Sequence, residues 1–374
     1  MTATEAAASS PRDVVRDAAL LPNNFDLLRL LAASQVVLVH VADHFLSQRY
    51  FLVEFLRQAP GVPVFFFISG FLISASWERN PDVRSYARNR FLRIYPAYVV
   101  AALVSLGGIL LFARLSLPHD AGRLALWLAA QLTLLCDWNP DFLRGYGTGV
   151  VNGSLWTIPV EVGFYVLTPV LFWAMRHSRN KDRVLALTAL ASFAFMYLVL
   201  AFVHRFSQTA DKAVLLTPFP WFGQFLCGWL AQRNLKILLP IVQGRVWLLV
   251  LVNLVLMFLS ARADLFPFLF SGSRAIGIVN FAALSLLVLA LAYGRRDLAA
   301  RLLRRNDLSY GIYLFHMPVA NMLLANGIAG TLAAVLTAAL SVPVAALSWF
   351  LVEKPLLARR AHALYRHEAA AEGS

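Results

Sequence analysis

The chain has 374 residues, of which 59% are hydrophobic and only 14% are charged, and its mean hydropathy is +0.65. A soluble domain carries closer to a quarter charged residues, so this composition excludes an ordinary soluble protein. The formal net charge of +13 is explained by basic loops beside anionic lipid rather than by nucleic-acid binding.

Apolar segments recur along the chain and predict an all-α polytopic membrane protein. They fall at about 25–46, 61–77, 96–114, 123–136, 154–175, 184–204, 214–231, 245–261, 274–293, 308–326 and 330–352. The segment 123–136 is short for a membrane span, which takes about 20 residues.

The basic residues indicate whether 123–136 crosses. If it does not, and the N-terminus is cytoplasmic, 23 Lys and Arg residues lie on the cytoplasmic side and nine on the other, as the positive-inside rule requires. We therefore predict about ten transmembrane helices, a re-entrant or interfacial segment at 123–136, and both termini in the cytoplasm. Residues 1–24 would be a polar tail, 25–352 the transmembrane domain and 353–374 a basic tail.

After Asp26 at its start, the first predicted span carries four ionisable side chains: Arg29, His40, Asp43 and His44. Such groups are costly at membrane depth and are usually functional. Arg29 and His40 are eleven residues apart, which places them on nearly the same helix face and about 16 Å apart along the axis. Asp43 lies one turn beyond His40, where a carboxylate could orient the imidazole or lie at the outer interface without a role.

The second span and the loop after it add small and basic residues. Ser69 and Gly70 would let another helix or a ligand approach closely. Arg90 and Arg93 share a helix face, and paired guanidinium groups can chelate phosphate oxygens. Basic loops are also expected on the cytoplasmic side without any binding site.

Two later spans carry polar side chains. Glu161, near Pro159, would protonate unless it has a partner such as an imidazole, a guanidinium or a sugar hydroxyl. Tyr313 and His316 share a face in LSYGIYLFHMPV and would either line the opening for a polar ligand or pack inside the bundle. No GxxxxGK[ST], GxSxG, HExxH or CxxC motif occurs, so we predict neither nucleotide hydrolysis nor a metal site.

Taken together, the motifs resemble those of the acyltransferase 3 family, membrane-bound O-acyltransferases that modify bacterial surface polysaccharides. The pieces that match, in the family's order, are Arg29-x10-His40, FFFISGFLI at 65–73, Arg90-Phe91-Leu92-Arg93, SLWTIPVEVGFY at 154–165, LSYGIYLFHMPV at 308–319 and VEKP at 352–355.

The resemblance implies transfer of an acyl group, usually acetyl, from cytoplasmic acyl-CoA to a hydroxyl of a polysaccharide or lipid-linked sugar outside the inner membrane. It implies that His40 deprotonates the acceptor hydroxyl or carries the acyl group itself, with Glu161 orienting His40 or binding the acceptor. The position of Asp43 one turn from His40 makes it a further catalytic candidate. The donor-binding candidates are Arg29, Arg90, Arg93, Ser69, Tyr313 and His316.

A transporter or flippase for a glycan precursor is the alternative. It would also need charged groups inside the membrane and a polar path across it. It predicts coupling-ion carboxylates and inverted repeats, however, and offers no reason for the Arg90 and Arg93 pair.

Overall fold

The structure is a computed structural model, which describes residues 22–48, 50–113, 119–133, 135, 138–203, 208–262, 277–295, 298–304 and 306–358. Every regular element in these ranges is helical, as predicted. Most of the two predicted tails, namely 1–21 and 359–374, lies outside the described residues.

The first part of the chain forms helices of very different lengths. They are α1 (Phe25–Phe45), α2 (Phe51–Arg57), α3 (Gly61–Arg79), α4 (Val83–Phe112), α5 (Ala121–Leu132) and α6 (Thr157–Ala174). Short 3-10 turns at Asp141–Leu143 and Gly153–Trp156 precede α6, and another at Met175–His177 follows it.

The second part continues with helices and two π turns. The helices are α7 (Lys181–Leu198), α8 (Gln208–Leu215), α9 (Phe222–Arg233), α10 (Leu235–Val242), α11 (Val246–Arg262), α12 (Ile278–Gly294), α13 (Leu298–Leu303), α14 (Ser309–Ala325) and α15 (Gly330–Ser348). The π turns, Val199–Val203 and Trp349–Glu353, extend α7 and α15.

Six helical stretches in the described ranges are long and apolar enough to cross a membrane. They are Phe25–Phe45, Phe51–Arg79, Val83–Phe112, Gly153–His177, Lys181–Phe202 and Gly330–Ala358. Helices α10 and α11 meet at 88° and add a seventh if they form one broken span. The chain is therefore a multi-pass membrane protein. The count of ten stays a prediction, since α12 is apolar but only 17 residues long, and the helices in the predicted spans 214–231 and 308–326, α9 and α14, have 12 and 17 residues.

The short segment at 123–136 corresponds to α5. With 12 residues, α5 is about 18 Å long, which is less than the hydrocarbon thickness of about 30 Å. Its Trp127 is buried in a cluster with Ile109, Leu143, Tyr146 and Val151. The length agrees with a helix that does not cross, although its re-entrant or interfacial placement stays a prediction.

The chain divides by its contacts into two units, and the first contains Pro63–Tyr86, Phe164–Leu302 and the residues up to Leu28. Its interior is aromatic: the Phe164 and Phe225 ring centroids, for example, are 4.8 Å apart. At the helix ends, Arg233 of α9 donates hydrogen bonds to Glu78 of α3 at 3.0 Å and to Asp182 of α7 at 2.5 Å. One guanidinium group thus joins three helices.

Gly70 of the FFFISGFLI segment lies where α3 meets α9. A Cβ atom added at Gly70 would overlap the backbone carbonyl of Phe225. The absence of a side chain therefore permits a close helix–helix contact, as the sequence predicted for the small residues in this segment.

The second unit contains Arg29–Val62, Ala87–Gly163 and Leu303–Ser374. Gln35 of α1 binds both ends of the α2–α3 connection. Its side-chain amide accepts a hydrogen bond from the Gly61 backbone N–H at 2.8 Å and donates one to the Leu56 carbonyl at 3.0 Å. Helix α14 packs on α15, where Gly311 lies directly against Ala345. This unit carries most of the predicted site residues.

The close contact at Gly70 gives a testable prediction for stability. We expect Gly70→Ala to lower the free energy of unfolding by at least about 2 kcal/mol, because the new methyl group meets backbone atoms that cannot rotate away. The matched control is Gly107→Ala in α4, where a Cβ atom meets nothing within 4 Å. Thermal unfolding in detergent would measure both, and equal melting temperatures for the two variants would contradict the prediction.

Candidate active site

His40 of α1, which the sequence predicted to be catalytic, has a second imidazole as its neighbour. His40 Nδ1 lies 2.8 Å from His316 Nε2 of α14, and the two ring centroids are 5.1 Å apart. The His316 side chain is completely buried, with 0% exposure. The structure thus brings together two residues that the sequence placed in different roles, His40 in catalysis and His316 in donor binding.

The other nitrogen of His316 faces the backbone of its own helix. Its Nδ1 lies 2.8 Å from the carbonyl oxygen of Tyr313 and 3.3 Å from that of Ile312. Both ring nitrogens of His316 therefore have hydrogen-bond partners, and His40 is the partner of one of them.

Hydrogen bonds with the segment before α6 fix the position of α14. Pro318 has no N–H for the Leu314 carbonyl one turn earlier, and the Asn152 amide donates to that carbonyl at 3.0 Å. On the next turn, the Asn321 amide donates to the carbonyls of Val150 at 2.9 Å and Val151 at 2.7 Å. The helix that carries His316 is thereby anchored beside the proline.

The predicted donor-binding residue Tyr313 also takes part in this anchor. Its hydroxyl donates to the Ser154 carbonyl at 2.6 Å and lies 2.8 Å from the hydroxyl of Thr157, the first residue of α6. Glu161 follows one turn further along α6 and is half-buried. The segments 154–165 and 308–319, which the sequence singled out separately, are thus in direct contact.

The predicted basic residues of α1 and α4 share a carboxylate. Asp307, just before α14, accepts a hydrogen bond from Arg93 and lies 3.7 Å from the Arg29 guanidinium. Only 9% of the Asp307 side chain is exposed. Burial opposes ionisation of Asp307, but the charges of Arg93 and Arg29 and a hydrogen bond from Ser309 hold the pKa of its carboxyl below the usual value.

Arg90 and Ser69 complete the predicted donor-binding set. Arg90 lies on α4, three residues before Arg93, and is half-buried. The two guanidinium groups therefore start from the same face of one helix, as predicted. Ser69 is buried in α3, in the first unit.

Helices α1 and α14 run parallel. Arg29 and Asp307 meet near the starts of the two helices, and His40 and His316 meet further along both. Arg29 and His40 thus project towards the same neighbour, as their spacing predicts. The ionic cluster and the imidazole pair are separated by about 16 Å along α1.

Asp43 has a different partner from the one suggested by its spacing. Both of its carboxylate oxygens accept hydrogen bonds from Arg57 of α2, while Arg57 also donates to Glu54 at 3.3 Å. These side chains border an open cleft of about 390 Å³. The polar residues that line the cleft are Asp43, Ser47, Gln48, Tyr50, Glu54 and Arg57.

Sequence reasoning did not identify Asp307, although a signal existed. An arginine inside an apolar segment needs a counter-charge, and Asp307 is a carboxylate directly before the LSYGIYLFHMPV motif. The anchoring amides of Asn152 and Asn321 carry no such signal, because uncharged polar residues are common at helix contacts. Within the described ranges, no three His, Cys, Asp or Glu side chains come together as a metal site requires.

Residues 23–353 match the model of a family described as "Acyltransferase domain". The chain is 32% identical to Nodulation protein 10 of Rhizobium leguminosarum bv. viciae over 353 residues, which cover 90% of this chain and 94% of that protein. It is 26% identical to an O-acetyl transferase of Shigella phage Sf6 over 348 residues, or 90% of this chain and 96% of the relative.

A larger relative extends the comparison. The chain is 22% identical to Peptidoglycan O-acetyltransferase OatA of Listeria monocytogenes over 329 residues, which cover 80% of this chain but only 49% of that protein. No solved structure matches the chain significantly.

The buried carboxylate gives a prediction for stability. We expect Asp307→Asn to lower the free energy of unfolding by about 3–5 kcal/mol at neutral pH, because it leaves two guanidinium groups close together without their shared counter-ion. Since the folded-state pKa of Asp307 is lowered, its contribution is complete above the usual carboxyl pKa of about 4 and is lost as the pH falls below it. The difference between wild type and variant should therefore shrink in acid.

The matched control is Asp141→Asn. Asp141 pairs with Arg144, but its side chain is 99% exposed, and we expect a change of less than about 1 kcal/mol. Thermal unfolding of the three proteins between pH 3 and pH 7 makes the comparison. A stability of Asp307→Asn equal to that of wild type at pH 7 would refute the structural role of this carboxylate.

Proposed function

The chain belongs to the acyltransferase 3 family and is a membrane O-acyltransferase, and from this premise we propose a specific reaction. It moves an acetyl group from acetyl-CoA in the cytoplasm to a hydroxyl of a polysaccharide or lipid-linked sugar on the outer side of the bacterial inner membrane. The observation that carries the proposal is that α1 and α14 hold a basic cluster at one end and an imidazole pair further along.

The basic cluster suits the phosphates of acyl-CoA. Arg29, Arg93 and Asp307 together carry one net positive charge, and Arg90 adds a second on the same face of α4. Guanidinium groups bind phosphate oxygens through paired hydrogen bonds. Asp307 holds two of the guanidinium groups in place before the donor arrives, which reduces the side-chain entropy lost on binding.

The proposed sidedness is supported by the ionic contacts of each unit. In the first unit Glu78, Asp182 and Arg233 are in contact, and the ten-span topology assigns all three helix ends to the cytoplasm. In the second unit the same holds for Arg29, Arg93 and Asp307. The parallel course of α1 and α14 agrees with two spans that leave the cytoplasm in the same direction.

His40 is proposed as the general base. It removes the proton from the acceptor hydroxyl while the hydroxyl oxygen attacks the thioester carbonyl of the donor. The carbon–sulfur bond breaks, and the departing CoA thiolate takes up the proton from His40. His316 is completely buried and His40 is half-buried, which would limit the access of water that competes with the acceptor for the thioester.

The acceptor is proposed to be a glycan that reaches His40 from the outer side. Asp43 lies one turn beyond His40, in the polar cleft that also contains Tyr50 and Glu54. Carboxylates and an aromatic ring are the side chains that bind sugar hydroxyls and sugar faces. The name of the Listeria relative gives peptidoglycan as its substrate, which supports a glycan acceptor here. Glu161 is a second candidate for acceptor binding.

The base role predicts a large loss of transfer in cells. We expect His40→Gln to reduce glycan acetylation at least about 10²-fold, because the amide of glutamine cannot take the hydroxyl proton as the proposed base does. Mass spectrometry of surface glycan from a deletion strain that produces each variant measures the acetyl content. The control is His177→Gln, an exposed histidine outside the site, which should acetylate like wild type. Normal acetylation by His40→Gln would exclude the base role.

Donor binding can be measured without an acceptor. We expect CoA to raise the melting temperature of the purified protein, and Arg90→Ala to weaken this protection about tenfold in CoA concentration, the value of one charge-assisted phosphate contact of about 1.4 kcal/mol. Arg176→Ala is the control, since Arg176 is an exposed basic residue after α6. A protein that millimolar CoA does not stabilise would contradict the proposed donor.

A further inference from the structure

In the hydrogen bond between His40 and His316, one ring donates and the other accepts. The other hydrogen-bond partners of His316 determine which ring is the donor. We infer that His316 is a positioning residue, which fixes the tautomer of His40 so that its Nε2 atom is the base. This inference rests on the proposed function, since it identifies which atom of His40 takes the acceptor proton and which residue makes that atom available.

The first step concerns His316 Nδ1. This atom lies 2.8 Å from the carbonyl oxygen of Tyr313 and 3.3 Å from that of Ile312. A carbonyl oxygen only accepts hydrogen bonds. The Nδ1 atom of His316 must therefore carry a hydrogen, because a bare nitrogen would direct its lone pair at the lone pairs of two oxygens.

The second step concerns His316 Nε2. The ring is completely buried, with 0% exposure, and an imidazolium ion without a counter-ion is costly in such a place. A neutral imidazole carries one hydrogen, which is already assigned to Nδ1. His316 Nε2 therefore presents a lone pair to His40 Nδ1, 2.8 Å away.

The third step concerns the position of the hydrogen on His40. To complete the hydrogen bond, His40 Nδ1 must donate, so the hydrogen of a neutral His40 is on Nδ1. Its Nε2 then has the lone pair that a general base requires. In the serine-protease triad an aspartate directs the imidazole in the same way, and loss of that group costs about 10⁴-fold in kcat. Here the neutral imidazole of His316 would accept the hydrogen bond that the aspartate accepts in the triad.

The position of His316 is itself well determined. The carbonyls that orient its ring belong to the turn before Pro318, where Asn152 and the Tyr313 hydroxyl fasten α14 to the segment before α6. A shift of this turn would change the hydrogen-bond angle at His40. Asp43, which the spacing also suggested for orienting His40, is 46% exposed and already paired with Arg57.

Two substitutions at position 316 test the inference. His316→Phe keeps a ring of similar size but removes the acceptor. His316→Gln restores an acceptor oxygen within reach of His40 and an amide N–H for the Tyr313 carbonyl. In inverted membrane vesicles supplied with labelled acetyl-CoA, we expect His316→Phe to lower the maximal acetyl transfer to endogenous glycan about 10²-fold. The apparent KM for acetyl-CoA should stay within about threefold, and His316→Gln should recover at least tenfold of the loss.

A spectroscopic measurement reads the tautomer directly. In protein labelled with ¹⁵N-histidine in lipid nanodiscs, protonated and bare ring nitrogens have different chemical shifts, and comparison with His40→Gln assigns the His40 signals. Wild type should show a protonated Nδ1 and a bare Nε2 at His40. His316→Phe should shift His40 towards the opposite tautomer, while His177→Phe should leave its signals unchanged.

The outcomes separate this inference from the proposed function. Wild-type vesicles that transfer no acetyl group would contradict the function, whereas the nanodisc spectra would still test the tautomer. Full transfer by a folded His316→Phe, or a protonated Nε2 on His40 in wild type, would overturn the inference and leave the acetyltransferase intact. Loss of transfer in both variants together with unchanged His40 signals would show that His316 serves packing alone.

Discussion

The cost of placing ionisable groups among apolar helices determines much of this structure. Arg29 lies four residues into the apolar helix α1, and Arg93 lies on α4. A guanidinium group in either place needs a counter-charge. Asp307 supplies it and thereby joins α1, α4 and the start of α14. The first unit solves the same problem with Arg233, Glu78 and Asp182. Each cluster fixes helix ends relative to one another, because separating a buried charge from its partner leaves its desolvation penalty uncompensated.

Once α1 and α14 are joined at Asp307, their parallel course brings His40 to His316. The two contacts are independent chemically but share the same pair of helices, so the basic cluster and the imidazole pair keep a separation of about 16 Å. That separation suits a long donor whose phosphates and thioester lie far apart. The proposed reaction across the membrane requires such an arrangement, since its donor and acceptor would arrive from opposite sides.

Much of this could be predicted from the sequence, because the relevant signals are local. The spacing of Arg29 and His40 predicts one helix face, and both side chains do meet the same neighbouring region. Gly70 was expected at a close contact and lies against the Phe225 carbonyl. The family motifs were sufficient to indicate an acyltransferase. The partner of Asp43 could not be predicted, since Arg57 lies beyond a turn of unknown geometry and competes with His40 for the carboxylate.

The sequence by itself determined the class of protein, its all-helical fold and which charged residues lie in apolar segments, because composition and helical periodicity depend only on near neighbours in the chain. Only the tertiary structure decided which of those residues face one another. His40 and His316 are 276 positions apart, and Arg93 and Asp307 are 214 apart. The protonation of an imidazole nitrogen depends on the atom opposite it, so the identity of the basic nitrogen in His40 is a property of the folded chain.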